Sequence, residues 1–82
     1  MKKSNLLLFY KTGCPYCEKV LTALKKMGKD IPKKNISEDP SAKEELKEKG
    51  GKVQVPCLFI NDSPLYESDD IIHWLEENKS LL

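Results

Sequence analysis

Cys14 and Cys17 flank Pro15-Tyr16, and this pair of thiols is the feature of the 82-residue chain best placed to do chemistry. An apolar run, Leu6 to Tyr10, precedes them and a helical pattern follows, so they fall on a strand-to-helix turn. With Cys14 as N-cap, Pro15 takes the first helical position, where its fixed φ suits the helix and its missing N–H costs nothing. Cys17 then lies one turn on, on the same face and within bonding reach of Cys14. The helix end offers unpaired N–H groups and partial positive charge to the Cys14 sulfur, which favours its thiolate. Lys11, three residues upstream, adds a cation, although an isolated lysine there reads equally well as a solvated surface residue. A reactive thiolate beside a second thiol is the apparatus of thiol–disulfide exchange.

The bulk properties limit the setting. Eighty-two residues make one small domain, spanning 1–82. Fourteen basic against thirteen acidic residues leave a net charge of +1, which gives nucleic-acid binding no electrostatic support. No stretch approaches the ~20 apolar residues of a membrane span. Met1-Lys2-Lys3-Ser4-Asn5 followed by Leu6–Tyr10 faintly imitates a leader, but the apolar run is shorter than the ~7–15 residues of such a segment. It reads instead as a buried first strand. Three cysteines, an odd number, argue against a secreted disulfide framework. A reducing cytoplasm is the expected location, where a disulfide is transient and catalytic.

The elements that position the thiols follow from the pattern. Val20, Leu21, Leu24 and Met27 carry helical spacing from Pro15 onward, and Gly28 closes that helix. Ile31–Ile36 predicts a short edge strand, interrupted by Pro32 and lysines. Asp39-Pro40 opens a second helix, with Ser41 and Glu44 offering a capping box one register later and Gly50-Gly51 ending it. Ala42 and Leu46 are its only apolar anchors, which predicts loose packing. Val53–Ile60 is extended, with a strand beginning after Pro56. Asn61-Asp62-Ser63-Pro64 predicts a turn, and Leu65-Tyr66 a return strand. A last helix is expected with Ser68 as its cap, Asp69 and Asp70 in its first turn, and Ile71, Ile72 and Leu75 facing inward. The order is β-α-β-α-β-β-α, an α/β fold with one four-stranded mixed sheet and three flanking helices.

This order, with Cys14-Pro15-Tyr16-Cys17 after the first strand, resembles the dithiol glutaredoxins of the thioredoxin-like fold. Three separated features carry the resemblance over nearly the whole chain: Lys11 to Cys17, Val55-Pro56 and Ser68-Asp69-Asp70. It implies a glutathione-dependent oxidoreductase in which Cys14 is the nucleophile and Cys17 the resolving thiol. It also implies that Val55-Pro56 is a cis-proline loop whose backbone pairs with the cysteine part of glutathione. Ser68 and Asp69 then hold the γ-glutamyl end, Lys11 with Gln54 or Lys52 takes the glycine carboxylate, and Tyr16 lines the groove. The implied partners are glutathione, as co-substrate, and glutathionylated or disulfide-containing proteins; the chain is expected to be a monomer that needs no metal.

The match has departures. Many members carry two glycines before the Ser/Cys/Thr-Asp-Asp stretch, where this chain has Tyr66-Glu67. Leu65-Tyr66-Glu67-Ser68 is similar instead to the matching segment of glutathione transferase N-terminal domains, where an acidic or amide residue and a serine bind the γ-glutamyl group. Gln54 stands where Thr commonly precedes Val-Pro. Other readings stay open. Cys14, Cys17, Cys57 and His73 are a conceivable zinc set, though with unusual spacing. Cys57 reads as a small buried strand residue and His73 as a surface residue. An iron–sulfur cluster carrier and a protein dithiol donor independent of glutathione are the functional alternatives.

Overall fold

The computed structural model describes residues 5–82. Met1–Ser4, most of the leader-like segment's polar head, lie outside the described residues. The elements are β1 (Leu6–Tyr10), α1 (Pro15–Met27), β2 (Lys33–Asn35), α2 (Pro40–Gly50), β3 (Cys57–Ile60), β4 (Ser63–Tyr66) and α3 (Ser68–Glu77), followed by a 3₁₀ turn at Lys79–Leu81. The strands form one sheet in the order β2-β1-β3-β4. β1 and β2 are parallel, joined by the α1 crossover, whereas β3 is antiparallel to both β1 and β4. The fold is thioredoxin-like.

β1 is sandwiched, as its continuous apolar run requires. Leu8 and Leu58, paired across β1 and β3, join Val20 and Leu24 of α1 and Ile71 and Leu75 of α3 on one face. Phe9, Cys57 and Phe59 face the other way, onto Ala42 and Leu46 of α2. The Phe9 and Phe59 rings meet edge to face with centroids 5.4 Å apart. Complete burial of a residue such as Leu46 is worth about 1.5–3 kcal/mol. The second helix is therefore not loosely packed: its two apolar anchors are both buried and close the second core.

Three boundaries differ from the sequence expectation, those of β2, the hairpin and α3, while α2 starts at Asp39-Pro40 as expected. β2 is only Lys33–Asn35, because Pro32 has no N–H for the ladder. α2 takes the Asp39 register: Asp39 Oδ1 accepts from the Ser41 N–H at 3.0 Å and from the Ser41 hydroxyl at 2.6 Å, leaving no capping box with Glu44. The hairpin turn is Asn61-Asp62 alone, both left-handed with φ of 49° and 72°, which matches the twist of a two-residue connection. Ser63 and Pro64 therefore belong to β4, where Pro64 is tolerated on an edge strand. Finally, Glu67 rather than Ser68 precedes α3, with φ of 73° and no side-chain capping bond. That turn makes Ser68 the first helical residue.

Candidate functional site

α1 begins at the sulfur atoms. Cys14 is the N-cap, Pro15 follows at the first helical position, and the Cys17 backbone N–H donates to the Cys14 sulfur at 3.3 Å. That donor is one of the N–H groups of the helix end that have no partner within the helix. Cys14 is 6% exposed and Cys17 only 1%. Burial pushes the Cys17 thiol up to about 12, reinforced by its hydrogen bond to Cys14 and by negative charge there. The Lys11 backbone and ammonium act in the opposite direction and are outweighed. The two thiols are thus unequal: one sits at the helix end with a donor directed at it, and the other is buried and held protonated.

The loop before Cys14 is pinned to β2. Asn35 Nδ2 donates to the Thr12 hydroxyl at 2.9 Å, and the Thr12 N–H donates to Ser37 Oγ at 3.3 Å. Gly13 turns the chain at φ 77°, a conformation that favours glycine. Thr12 lies within the Lys11–Cys17 motif, but Asn35 belongs to no motif. Only their contact across β1 and β2 reveals the brace.

A groove of about 430 Å³ is lined by Tyr16, which stands between the two cysteines in sequence, and by Gln54, Val55, Pro56, Glu67, Ser68 and Asp69. Six of the residues anticipated for glutathione binding therefore share one wall-to-wall space, although they come from α1, the loop before β3 and the start of α3. The Val55–Pro56 peptide bond is cis, as expected. Tyr16 is 62% exposed at the rim. Lys11 is exposed on the loop after β1 and is not among the lining residues. Of the alternatives Gln54 and Lys52, the lining residue is Gln54; the Lys52 ammonium instead lies 4.4 Å from the centre of the Tyr66 ring.

Two further side chains bear on the groove: Lys19, which the sequence pattern did not single out, and Glu67, the acidic residue of the transferase-like segment. Lys19 donates to Asp69 Oδ1 at 2.9 Å, joining α1 to α3. Its position one turn after Pro15 on the same helical face was the available signal. Glu67 lines the groove beside Ser68 from its left-handed turn. A larger concavity of about 670 Å³ between α1 and α3 includes Pro15, Lys26 and Met27 but neither cysteine nor the cis-proline loop. The smaller groove likewise has no cysteine in its lining, but it carries Val55-Pro56 and the start of α3.

Cys57 is completely buried on β3, and burial pushes its thiol up to about 11. His73 is exposed on α3, 3.3 Å from Glu77. Among the described residues, no group of three or more His, Cys, Asp or Glu side chains is arranged to hold a metal ion. No described helix is long and apolar enough to cross a membrane.

Comparison with known proteins identifies the family and similar folds. The Glutaredoxin family model matches residues 6–65. Glutaredoxin 3 of Escherichia coli (strain K12) is 26% identical over 68 residues, covering 83% of this chain and 82% of the relative. The holo form of glutaredoxin C1 from Populus tremula x tremuloides superposes with a TM-score of 0.69 at 23% identity, over 95% of this chain and 80% of that one. A glutathione S-transferase from the Antarctic clam Laternula elliptica gives a TM-score of 0.72 at 33% identity over 90% of this chain. The chain spans only 35% of that transferase.

Proposed function

The chain belongs to the glutaredoxin family, and from that premise we propose that it is a glutathione-dependent oxidoreductase acting on protein–glutathione mixed disulfides and protein disulfides. Family membership makes it a thiol–disulfide oxidoreductase. The observation that carries the finer reading is the asymmetry of the thiols: the Cys17 N–H serves the Cys14 sulfur, while Cys17 itself is buried and proton-bound.

In the proposed reaction, the Cys14 thiolate attacks the glutathione sulfur of a mixed disulfide. The client sulfur leaves as thiolate and takes a proton from solvent. A second glutathione thiolate then attacks the glutathione sulfur bound to Cys14, forming glutathione disulfide and restoring the Cys14 thiolate. With a protein disulfide, Cys14 first forms a mixed disulfide with the client. Cys17 loses its proton and attacks the Cys14 sulfur, which forms the Cys14–Cys17 disulfide and releases the client dithiol. Once Cys14 is in a mixed disulfide it carries no charge, so two of the influences that hold the Cys17 proton disappear.

Recognition is assigned to the groove. Val55 offers its backbone to the cysteine part of glutathione, and Ser68 and Asp69 at the start of α3 take the γ-glutamyl end. Gln54 and Lys11 take the glycine carboxylate, and Tyr16 covers the rim. We assign the chain to the cytoplasm as a single-domain monomer. The test is turnover of a glutathionylated peptide with glutathione as the sole reductant. Sustained turnover is expected. Reduction of protein disulfides without any turnover of the glutathionylated peptide would replace this reading with a glutathione-independent dithiol donor.

A further inference from the structure

Tyr66 is not a lining residue of the groove, yet it holds the piece of chain that is. Its hydroxyl lies 3.1 Å from the Gly50 carbonyl oxygen and 3.3 Å from the Lys52 carbonyl oxygen, so its single proton is shared between the end of α2 and the loop beyond. The Lys52 ammonium covers the same ring. Cys57, the first residue of β3, stands opposite Tyr66 in the β3–β4 ladder. Tyr66 thus ties together α2, the start of β3 and residues 51–56. That loop has no helix or strand of its own, and its far end carries Gln54, Val55 and Pro56 into the groove.

Gly50 completes the arrangement. A Cβ at this position would stand 2.2 Å from the Tyr66 hydroxyl oxygen, but 3.4 Å from the ring carbon that bears it and 3.5 Å from the Phe59 ring. Only the hydroxyl forbids a side chain there. Glycine inside a helix is otherwise a poorer choice than alanine. Its presence in the last turn of α2 is explained by the close approach of Tyr66.

We propose that Tyr66 is a positioning residue for the groove: its hydroxyl, admitted by Gly50, sets the height of loop 51–56 and so the way Gln54 and Val55 meet a glutathionyl group. The identity of that ligand rests on the function proposed above; the clamp itself does not. Tyr66→Phe removes the hydroxyl and keeps the ring. Amide hydrogen exchange at Gly51, the first residue of the loop, whose N–H donates to the Lys47 carbonyl oxygen, should quicken about three- to tenfold. KM for a glutathionylated peptide should rise about three- to tenfold with kcat nearly unchanged. Single-turnover reaction of the reduced protein with the disulfide of 2-mercaptoethanol should not change. Gly50→Ala should lower the melting temperature of the parent protein but raise it in the Tyr66→Phe background, where the obstructing oxygen is gone.

Unchanged loop exchange in Tyr66→Phe, or the same response to Gly50→Ala in both backgrounds, overturns the clamp. Faster exchange with an unchanged KM, or equal slowing of both disulfides, overturns its role in positioning substrate. Failure of the functional reading looks different: the parent protein would not turn over the glutathionylated peptide, while loop exchange would still respond to Tyr66→Phe.

Discussion

The Lys19 ammonium lies 2.9 Å from Asp69 Oδ1, so the carboxylate assigned to the substrate's γ-glutamyl amine already has a cation bound to it. The pair bridges α1 and α3 beside the groove and is well exposed. It raises the Lys19 ammonium above its ordinary range, chiefly through the Asp69 hydrogen bond. An arriving ammonium must displace Lys19 or share Asp69 with it. Lys19→Gln should therefore lower KM for a glutathionylated peptide, by about two- to fivefold because exposed ion pairs are weak. The effect should fade at high salt. A raised KM would mean that Lys19 contacts the substrate itself.

The unequal thiols predict unequal variants. Cys14→Ser should abolish both activities, because the nucleophile is lost. Cys17→Ser should keep most deglutathionylation, which needs only Cys14, and lose most protein-disulfide reduction, which needs a resolving thiol. In the reduced native protein, iodoacetamide at neutral pH should modify Cys14 and spare Cys17, whose thiol is pushed up to about 12 by burial and by Cys14. Peptide mass mapping reads this directly. Equal loss of both activities in Cys17→Ser would rule out the one-thiol route.

Ser68 is nearly buried at the first position of α3, and no side-chain bond from it caps the helix. If its hydroxyl serves the γ-glutamyl carboxylate, Ser68→Ala removes a bond to a charged group worth roughly 1.5–3 kcal/mol. At about 1.4 kcal/mol per tenfold, kcat/KM with a glutathionylated peptide should fall about ten- to hundredfold. Reaction with the 2-mercaptoethanol disulfide should hardly change. Equal slowing of both would make Ser68 a structural residue only.

Two buried thiols make stability sensitive to alkali. Cys57 is pushed up to about 11 and Cys17 to about 12, both mainly by burial, from an ordinary value of 9.0. The unfolded chain loses these protons first as pH rises, so the stabilisation is complete below pH 9 and is lost as pH climbs toward 11 and 12. Chemical denaturation of the reduced protein should show stability falling through that window. Cys57→Ala should make the fall shallower between pH 9 and 11. An identical slope in Cys57→Ala would mean that the Cys57 thiol titrates alike in both states.

By itself the sequence determined the order of elements and the α1 start, and it marked the two thiols proposed as the reactive pair. These are local properties: proline at a first helical position, apolar spacing along a helix and two thiols one turn apart impose themselves over a few residues. The family motifs likewise marked Val55-Pro56 and Ser68-Asp69, whose places in the chain are separated but whose residue types are distinctive. Tertiary structure decided what those residues face. It gave the α3 entry to Glu67 rather than Ser68, because a left-handed turn redirects the chain there. It buried Ala42 and Leu46 of a mostly charged helix against Phe9 and Phe59, residues far away in sequence. It also brought Lys19 to Asp69, and Tyr66 to Gly50 and Lys52. Each of these contacts joins elements whose separation is set by packing across the sheet or between helices, and no periodicity within a single element encodes such a distance.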